Sequence, residues 1–163
     1  NAQGGPMIHA IAAKAVAFGE AATPEFKQYS AAVVENARAL AGALQSGGLR
    51  VVSGGTDTHL MLVDVSRRSL TGQEAQDTLR AAGIIVNKNN IPFDPLPPRV
   101  TSGIRVGTPA ITSRGMDAAD MDTVAGFILE ALATPGDDAA LARLRKRVVR
   151  FASGCPVPGV TDA

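Results

Sequence analysis

The chain has 163 residues, of which 45% are hydrophobic and 19% charged, and its net charge at pH 7 is +1. This length fits about one domain of ~100–200 residues with a substantial core, and the small net charge argues against a general nucleic-acid-binding protein. No apolar run approaches the roughly 18 residues that a membrane span needs. The single cysteine, Cys155, excludes an internal disulfide and fits a reducing compartment. The chain begins NAQGGP, without an initiator Met or a signal-peptide pattern, so we expect it to be cut from a longer protein.

The first part of the chain is predicted to be helical. Residues 7–22 are rich in alanine, and Pro24 restarts a helix at its first turn, where proline is tolerated. Apolar residues of the second helix recur at spacings of three and four until Gly47, which predicts one buried stripe. The stripe consists of Phe26, Tyr29, Val33, Ala37, Leu40 and Leu44.

Short strands are predicted in the middle of the chain, at residues 49–52, 60–65, 84–86 and 104–106. Between the second and third strands, Thr71 and Glu74 form a capping box that begins a helix, and Gly83 ends it. Two further helices are predicted after the last strand, the first opened by Asp117 and the second following Asp137 and Asp138. Strands mixed with helices predict an α+β fold, a small mixed or antiparallel sheet covered by helices.

A long loop is predicted at residues 87–102. It contains four prolines, which exclude a helix and interrupt sheet pairing. Loops of this length in a compact domain are usually functional or disordered.

Arg105 lies inside a short apolar run in the segment TSGIRVGTPA, residues 101–110. A guanidinium is almost never fully buried without an anionic partner, and its planar fork matches a carboxylate through two parallel hydrogen bonds. Arg105 is therefore either half of an internal ion pair or the receptor for an acidic substrate. The strand alone does not decide between the two.

Five motifs occur in one order along the chain and carry a resemblance to a known family. They are QGGP at 3–6, VSGGTDTHL at 52–60, LTGQEA at 70–75, GIIVNKN at 83–89 and TSGIRVGTPA at 101–110. Together they resemble serine hydroxymethyltransferase, a pyridoxal-phosphate enzyme of the aspartate-aminotransferase fold type, over about residues 3–132.

The resemblance implies that the chain is the C-terminal part of a longer enzyme. Residues 1–23 would be the end of a large-domain loop and the helix linking the domains, residues 24–152 the C-terminal small domain, and residues 153–163 a tail. The family's catalytic lysine lies upstream, so we expect the chain alone to be inactive and not to hold pyridoxal 5'-phosphate. The parent would interconvert serine and tetrahydrofolate with glycine and 5,10-methylenetetrahydrofolate, as a cytoplasmic homodimer or dimer of dimers that binds neither nucleic acid nor membrane.

The resemblance also implies roles for particular residues. Arg105 matches the arginine that binds the carboxylate of the substrate amino acid. Gly4 and Gly5 match a glycine segment that reaches the cofactor phosphate of the partner subunit, although glycines before a helix are more commonly a turn.

The folate pocket is implied at the long loop. Asn89 would contact the pterin, and Pro97, Pro98 and Arg99 would line the pocket; the alternative is a solvated loop whose asparagines satisfy their own backbone. Arg99 stands where many members carry Phe, and Phe93 where several carry Asn.

The remaining polar residues are interpreted as structural. Lys88 is expected to be a loop contact and not a Schiff-base lysine, and His9 and His59 hydrogen-bonded structural histidines. Arg114 is either a cation that attracts anions to the site or a surface residue. The basic run at 143–147 with Arg150 is expected to form the solvent-exposed face of the last helix. The spacing of the two His and the one Cys predicts no metal site.

Two other classes of function stay open. The chain could be a stand-alone domain that binds an amino acid or a nucleotide without catalysis. It could also be an interaction module whose basic last helix docks on an acidic partner.

Overall fold

A computed structural model describes residues 4–160, which form two compact units that divide between Ala31 and Ala32. The first unit contains α1 (Ile8–Ala21) and the beginning of α2 (Pro24–Ser46). The hydroxyl of Thr23 accepts a hydrogen bond from the Phe26 N–H at 3.2 Å and so caps α2. Both helices confirm the predicted bounds to within a residue, while the predicted domain division at residues 23 and 152 stays a prediction.

The second unit is built on a four-stranded sheet. Its strands are β1 (Arg50–Val51), β2 (Leu60–Asp64), β3 (Asn87–Asn89) and β4 (Gly103–Gly107). They lie in the order β1-β2-β4-β3, and every neighbouring pair is antiparallel. This confirms the α+β prediction and makes β4, the strand with Arg105, an inner strand.

The strand predicted at residues 84–86 is wrong, and the third strand lies just after it at Asn87–Asn89. The N–H of Ile84 donates to the Leu79 carbonyl at 2.8 Å, so the end of the preceding helix uses this group. Ile84 and Val86 nevertheless pack against the core. Their apolar character therefore predicted burial correctly but did not predict pairing in the sheet. Because β3 occupies residues 87–89, the loop predicted from residue 87 begins at residue 90.

Four further helices belong to the second unit: α3 (Gly72–Ala81) between β2 and β3, and, after β4, α4 (Pro109–Ser113), α5 (Met121–Ala133) and α6 (Asp138–Ser153). The capping box of Thr71 and Glu74 is present at α3. Gly83 ends that helix with φ +83°, a conformation that glycine adopts without strain. Asp117 caps a 3₁₀ turn that leads into α5, and Asp137 caps α6, close to the predictions.

The core of the second unit lies where α2 and the sheet meet α3, α5 and α6. The predicted stripe on α2 is buried from Val33 onwards, whereas Phe26 is 44% exposed. Two buried polar side chains tie α2 to the segment after β4. The Asn36 amide donates to Thr112 Oγ1 and to the Met116 carbonyl, both at 2.9 Å, and the Thr108 hydroxyl donates to the Val33 carbonyl at 2.7 Å. Through residues 4–160, no helix is long and apolar enough to cross a bilayer.

Candidate functional site

Strand alternation places Arg105 on the open face of the sheet. Its neighbours Ile104 and Val106 are buried in the core, whereas Arg105 is exposed. Within the described residues its guanidinium takes part in no hydrogen bond or ion pair. The internal ion pair, one of the two alternatives from sequence, is therefore not formed among residues 4–160.

Arg105 lines a cleft of about 440 Å³ at the open face. The cleft combines polar and apolar walls: His59, Leu60, Ile85, Val86, Asn87, Arg105 and Gly107. The sheet register sets Leu62 opposite Arg105 on one side and Asn87 on the other. A single cation in such a concave setting suits a small anionic ligand.

Asn89 shares this face with Arg105, because it lies two residues along β3 from Asn87. Its amide nitrogen donates to the Asn90 carbonyl at 2.8 Å. The side-chain oxygen accepts no hydrogen bond from the described residues. The fold therefore brings two of the sequence-predicted site residues, Arg105 and Asn89, to one surface.

Lys88 lies between these asparagines and so points to the other face of β3. Its ammonium donates to the side chain of Gln73 on α3 and to the Arg99 carbonyl, the latter at 2.6 Å. The prediction that Lys88 is a loop contact is confirmed. The contact connects β3 with the segment that contains Pro97, Pro98 and Arg99, all three of which are exposed.

Asp94 is a residue of this loop that sequence analysis missed. Its carboxylate accepts hydrogen bonds from the amides of Ile91, Leu96 and Ser102 and from the Ser102 hydroxyl, at 2.7–3.1 Å. Burial works to raise its pKa, but the bonds from the Ser102 hydroxyl and the three amides outweigh burial and hold the pKa of Asp94 well below its usual range. The signal available in the sequence was an Asp among turn residues, where its side chain commonly accepts from backbone two residues on.

Gly4 and Gly5 precede α1 in the first unit. Both are exposed, and a Cβ added at either would meet nothing within 4 Å. Neither amide donates to another described residue. These two N–H groups are the kind of donors that a phosphate group accepts from, so the segment fits the predicted contact chemically.

The other polar residues take different roles. His9 and His59 are exposed, and neither imidazole is hydrogen-bonded within the described residues, so the prediction of hydrogen-bonded structural histidines is wrong. Arg114 is half-buried and donates to the carbonyls of Ala152 and Cys155, both at 2.6 Å, so it caps α6; its effect on anions at the site stays a prediction. The basic run of α6 is exposed, as predicted, with Arg147 bonded to Glu130.

Comparison with known proteins agrees with the motif pattern. The family model described as serine hydroxymethyltransferase matches residues 1–128. A serine hydroxymethyltransferase from Myxococcus xanthus (strain DK1622) is 59% identical over 155 residues, which are 95% of this chain and 37% of that protein. The chain thus spans little more than a third of the length of this curated relative. With the family match covering most of its residues, the chain belongs to the serine hydroxymethyltransferase family.

Proposed function

We propose that this chain is part of an enzyme that interconverts serine and tetrahydrofolate with glycine and 5,10-methylenetetrahydrofolate. Within it, the chain supplies the receptor for the amino-acid carboxylate and part of the folate pocket. The observation that carries the proposal is Arg105, an exposed guanidinium in a cleft, without an anionic partner among the described residues and beside the Asn87 and Asn89 strand. None of the chain's residues is assigned a covalent step.

Arg105 binds the serine or glycine carboxylate through its planar fork. Two parallel charge-assisted hydrogen bonds fix the carboxylate in position and orientation. Because the carboxylate is bonded directly to Cα, fixing it also orients the Cα bonds that change during the reaction. Because β4 is paired on both sides, the backbone of Arg105 is held in place.

Asn89 contacts the pterin of the folate. Its side chain offers an acceptor oxygen and a second amide hydrogen, which match the mixed donor and acceptor edge of a pterin. Pro97, Pro98 and Arg99 line the same pocket. Arg99 brings a cation where the family commonly has an aromatic ring, so this part of the pocket favours anionic over apolar groups.

Gly4 and Gly5 hold the phosphate of pyridoxal 5'-phosphate through their free amides, in the partner subunit of a homodimer. When bound, the cofactor supplies the electron sink for the amino-acid chemistry. A cytoplasmic location belongs to the same proposal and is supported by the single free cysteine.

The test is product formation by the full-length enzyme that carries this chain. We expect it to form glycine and methylenetetrahydrofolate in equal amounts from serine and tetrahydrofolate. Arg105→Ala should abolish this activity and still bind the cofactor, since the lost pair costs about 3–5 kcal/mol in a desolvated site. Arg143→Ala, which removes an exposed arginine of α6, is the matched control and should stay active. A wild type without glycine formation would contradict the proposed reaction, and an active Arg105→Ala variant would contradict the assigned receptor.

A further inference from the structure

The loop at residues 90–102 has a shape that its own sequence does not favour. It joins the neighbouring antiparallel strands β3 and β4, and its prolines lack the N–H groups that would form regular pairing. Phe93 and Thr101 both have left-handed backbones, with φ of +58° and +62°. Side chains other than glycine keep such conformations only where the surroundings enforce them.

The carboxylate of Asp94 stabilises this loop conformation from inside the loop. Oδ2 accepts from the Ile91 amide at 3.1 Å and from the Ser102 amide at 2.9 Å. Oδ1 accepts from the Leu96 amide at 3.0 Å and from the Ser102 hydroxyl at 2.7 Å. One side chain thereby joins the beginning, the middle and the end of the loop.

The outside of the loop is held by neighbouring elements. The Gly72 and Gln73 amides, at the beginning of α3, donate to the carbonyls of Thr101 and Val100 at 2.8 and 3.0 Å. Lys88 donates to the Arg99 carbonyl. These contacts fix the end of the loop. Among the side-chain hydrogen bonds of the described residues, only those of Asp94 also join that end to Ile91, which lies two residues after Asn89.

We propose that Asp94 is a positioning residue for the folate site: its carboxylate holds the loop in the shape that sets residues 97–99 beside Asn89 before folate binds. The inference rests on the proposed function. Asp94 itself touches no substrate. Because Arg105 lies on the paired strand β4 and not on the loop, loss of Asp94 affects folate binding and leaves serine binding in place.

The experiment compares Asp94→Asn with wild type in the full-length enzyme. An asparagine of the same size keeps one acceptor oxygen but turns an NH₂ group towards amide donors, so at least one of the three amide bonds is lost and an N–H faces an N–H in its place. We expect KM for tetrahydrofolate to rise about tenfold or more, and KM for serine to stay within about twofold.

Asp64→Asn is the matched control. Asp64 also accepts from a serine two residues on, through the Ser66 amide and hydroxyl at 2.9 and 2.6 Å, but it lies on β2 outside the loop. This variant should lose stability without a change in KM for tetrahydrofolate. An equal rise in the folate KM of both variants would show general destabilisation and would overturn the positioning role.

Ser102→Ala keeps the test decisive if Asp94→Asn does not fold. It removes one of the four bonds, and we expect a smaller rise in the folate KM, about twofold to fivefold, with an unchanged serine KM. An unchanged folate KM in the folded variants overturns the inference while normal wild-type turnover keeps the proposed function. Absence of wild-type turnover contradicts the proposed function, and the inference with it.

Discussion

At the scale of single residues, the closest backbone approach near the site is at Gly72. Its amide donates to the Thr101 carbonyl, and a Cβ built on it would lie 2.0 Å from Thr101 Oγ1 and 2.3 Å from the Gly103 carbonyl oxygen. Thr101 is buried, and the Gly103 carbonyl belongs to β4, so this oxygen cannot move away without shifting backbone. The glycine in the LTGQEA motif is thus explained by packing of α3 against the end of the loop at residues 90–102.

Gly72→Ala should therefore destabilise the protein by about 1–3 kcal/mol, the usual cost of forcing an extra carbon into a packed site. Urea unfolding measures the effect. Gly126→Ala is the control, since an added Cβ there meets nothing within 4 Å on an exposed face of α5, and we expect it to stabilise by about 0.5–1 kcal/mol. Equal stability of the two variants would contradict the close packing at Gly72.

The residues that sequence could predict are those whose chemistry is local or carried by a motif. Arg105 stands out because it is a cation in an apolar strand, and within the described residues it forms no ion pair. Arg114 was not predictable, because the carbonyls it caps lie 38 and 41 residues further along the chain. Asp94 was missed because the four groups that donate to it, on Ile91, Leu96 and Ser102, come together only when the loop is folded.

At the scale of elements, the ends of α3 and three of the four strands were predictable. The strands predicted at residues 49–52, 60–65 and 104–106 lie within one residue of β1, β2 and β4. Thr71, Glu74 and Gly83 mark α3 through contacts with residues three or four positions away, and these contacts are present. The strand predicted at residues 84–86 failed because pairing depends on the register of β3 with β4, a partner 14 or more residues distant.

Removal of the α3 cap tests this interpretation at the same scale. Thr71→Ala deletes the acceptor of the Glu74 amide, a bond of 3.2 Å, and should cost about 1 kcal/mol. Amide hydrogen exchange in the first turn of α3 should become about fivefold faster. Thr123→Ala removes an exposed threonine inside α5 and serves as the control. If Thr71→Ala speeds amide exchange in α5 more than in α3, the capping role is contradicted.

At the scale of the whole molecule, α1 leaves its large apolar side chains exposed to solvent. Its large apolar side chains, together with Met7 just before it, are 55–72% exposed: Met7, Ile8, Ile11, Val16 and Phe18. None of its residues is buried. A large exposed apolar surface is rare in a protein that stays monomeric. The family resemblance implies that in the longer enzyme one side of α1 would meet the large domain.

The 163-residue chain should therefore self-associate through α1. Sedimentation velocity should show dimers or larger species that disperse when Ile11 and Phe18, seven residues apart on one helix face, are both replaced by Glu. Phe93→Ser removes an isolated, fully exposed ring of the loop and should change nothing. A wild-type chain that stays monomeric at high concentration would contradict the exposed interface.

Serine turnover by Arg105→Lys in the full-length enzyme tests whether Arg105 binds the substrate carboxylate. If Arg105 receives the substrate carboxylate through its fork, lysine keeps the charge but loses the paired geometry, and the activity should fall by about a hundredfold or more while the cofactor stays bound. Near-normal serine turnover in Arg105→Lys would show that another residue binds the carboxylate, and the account of this site would be wrong.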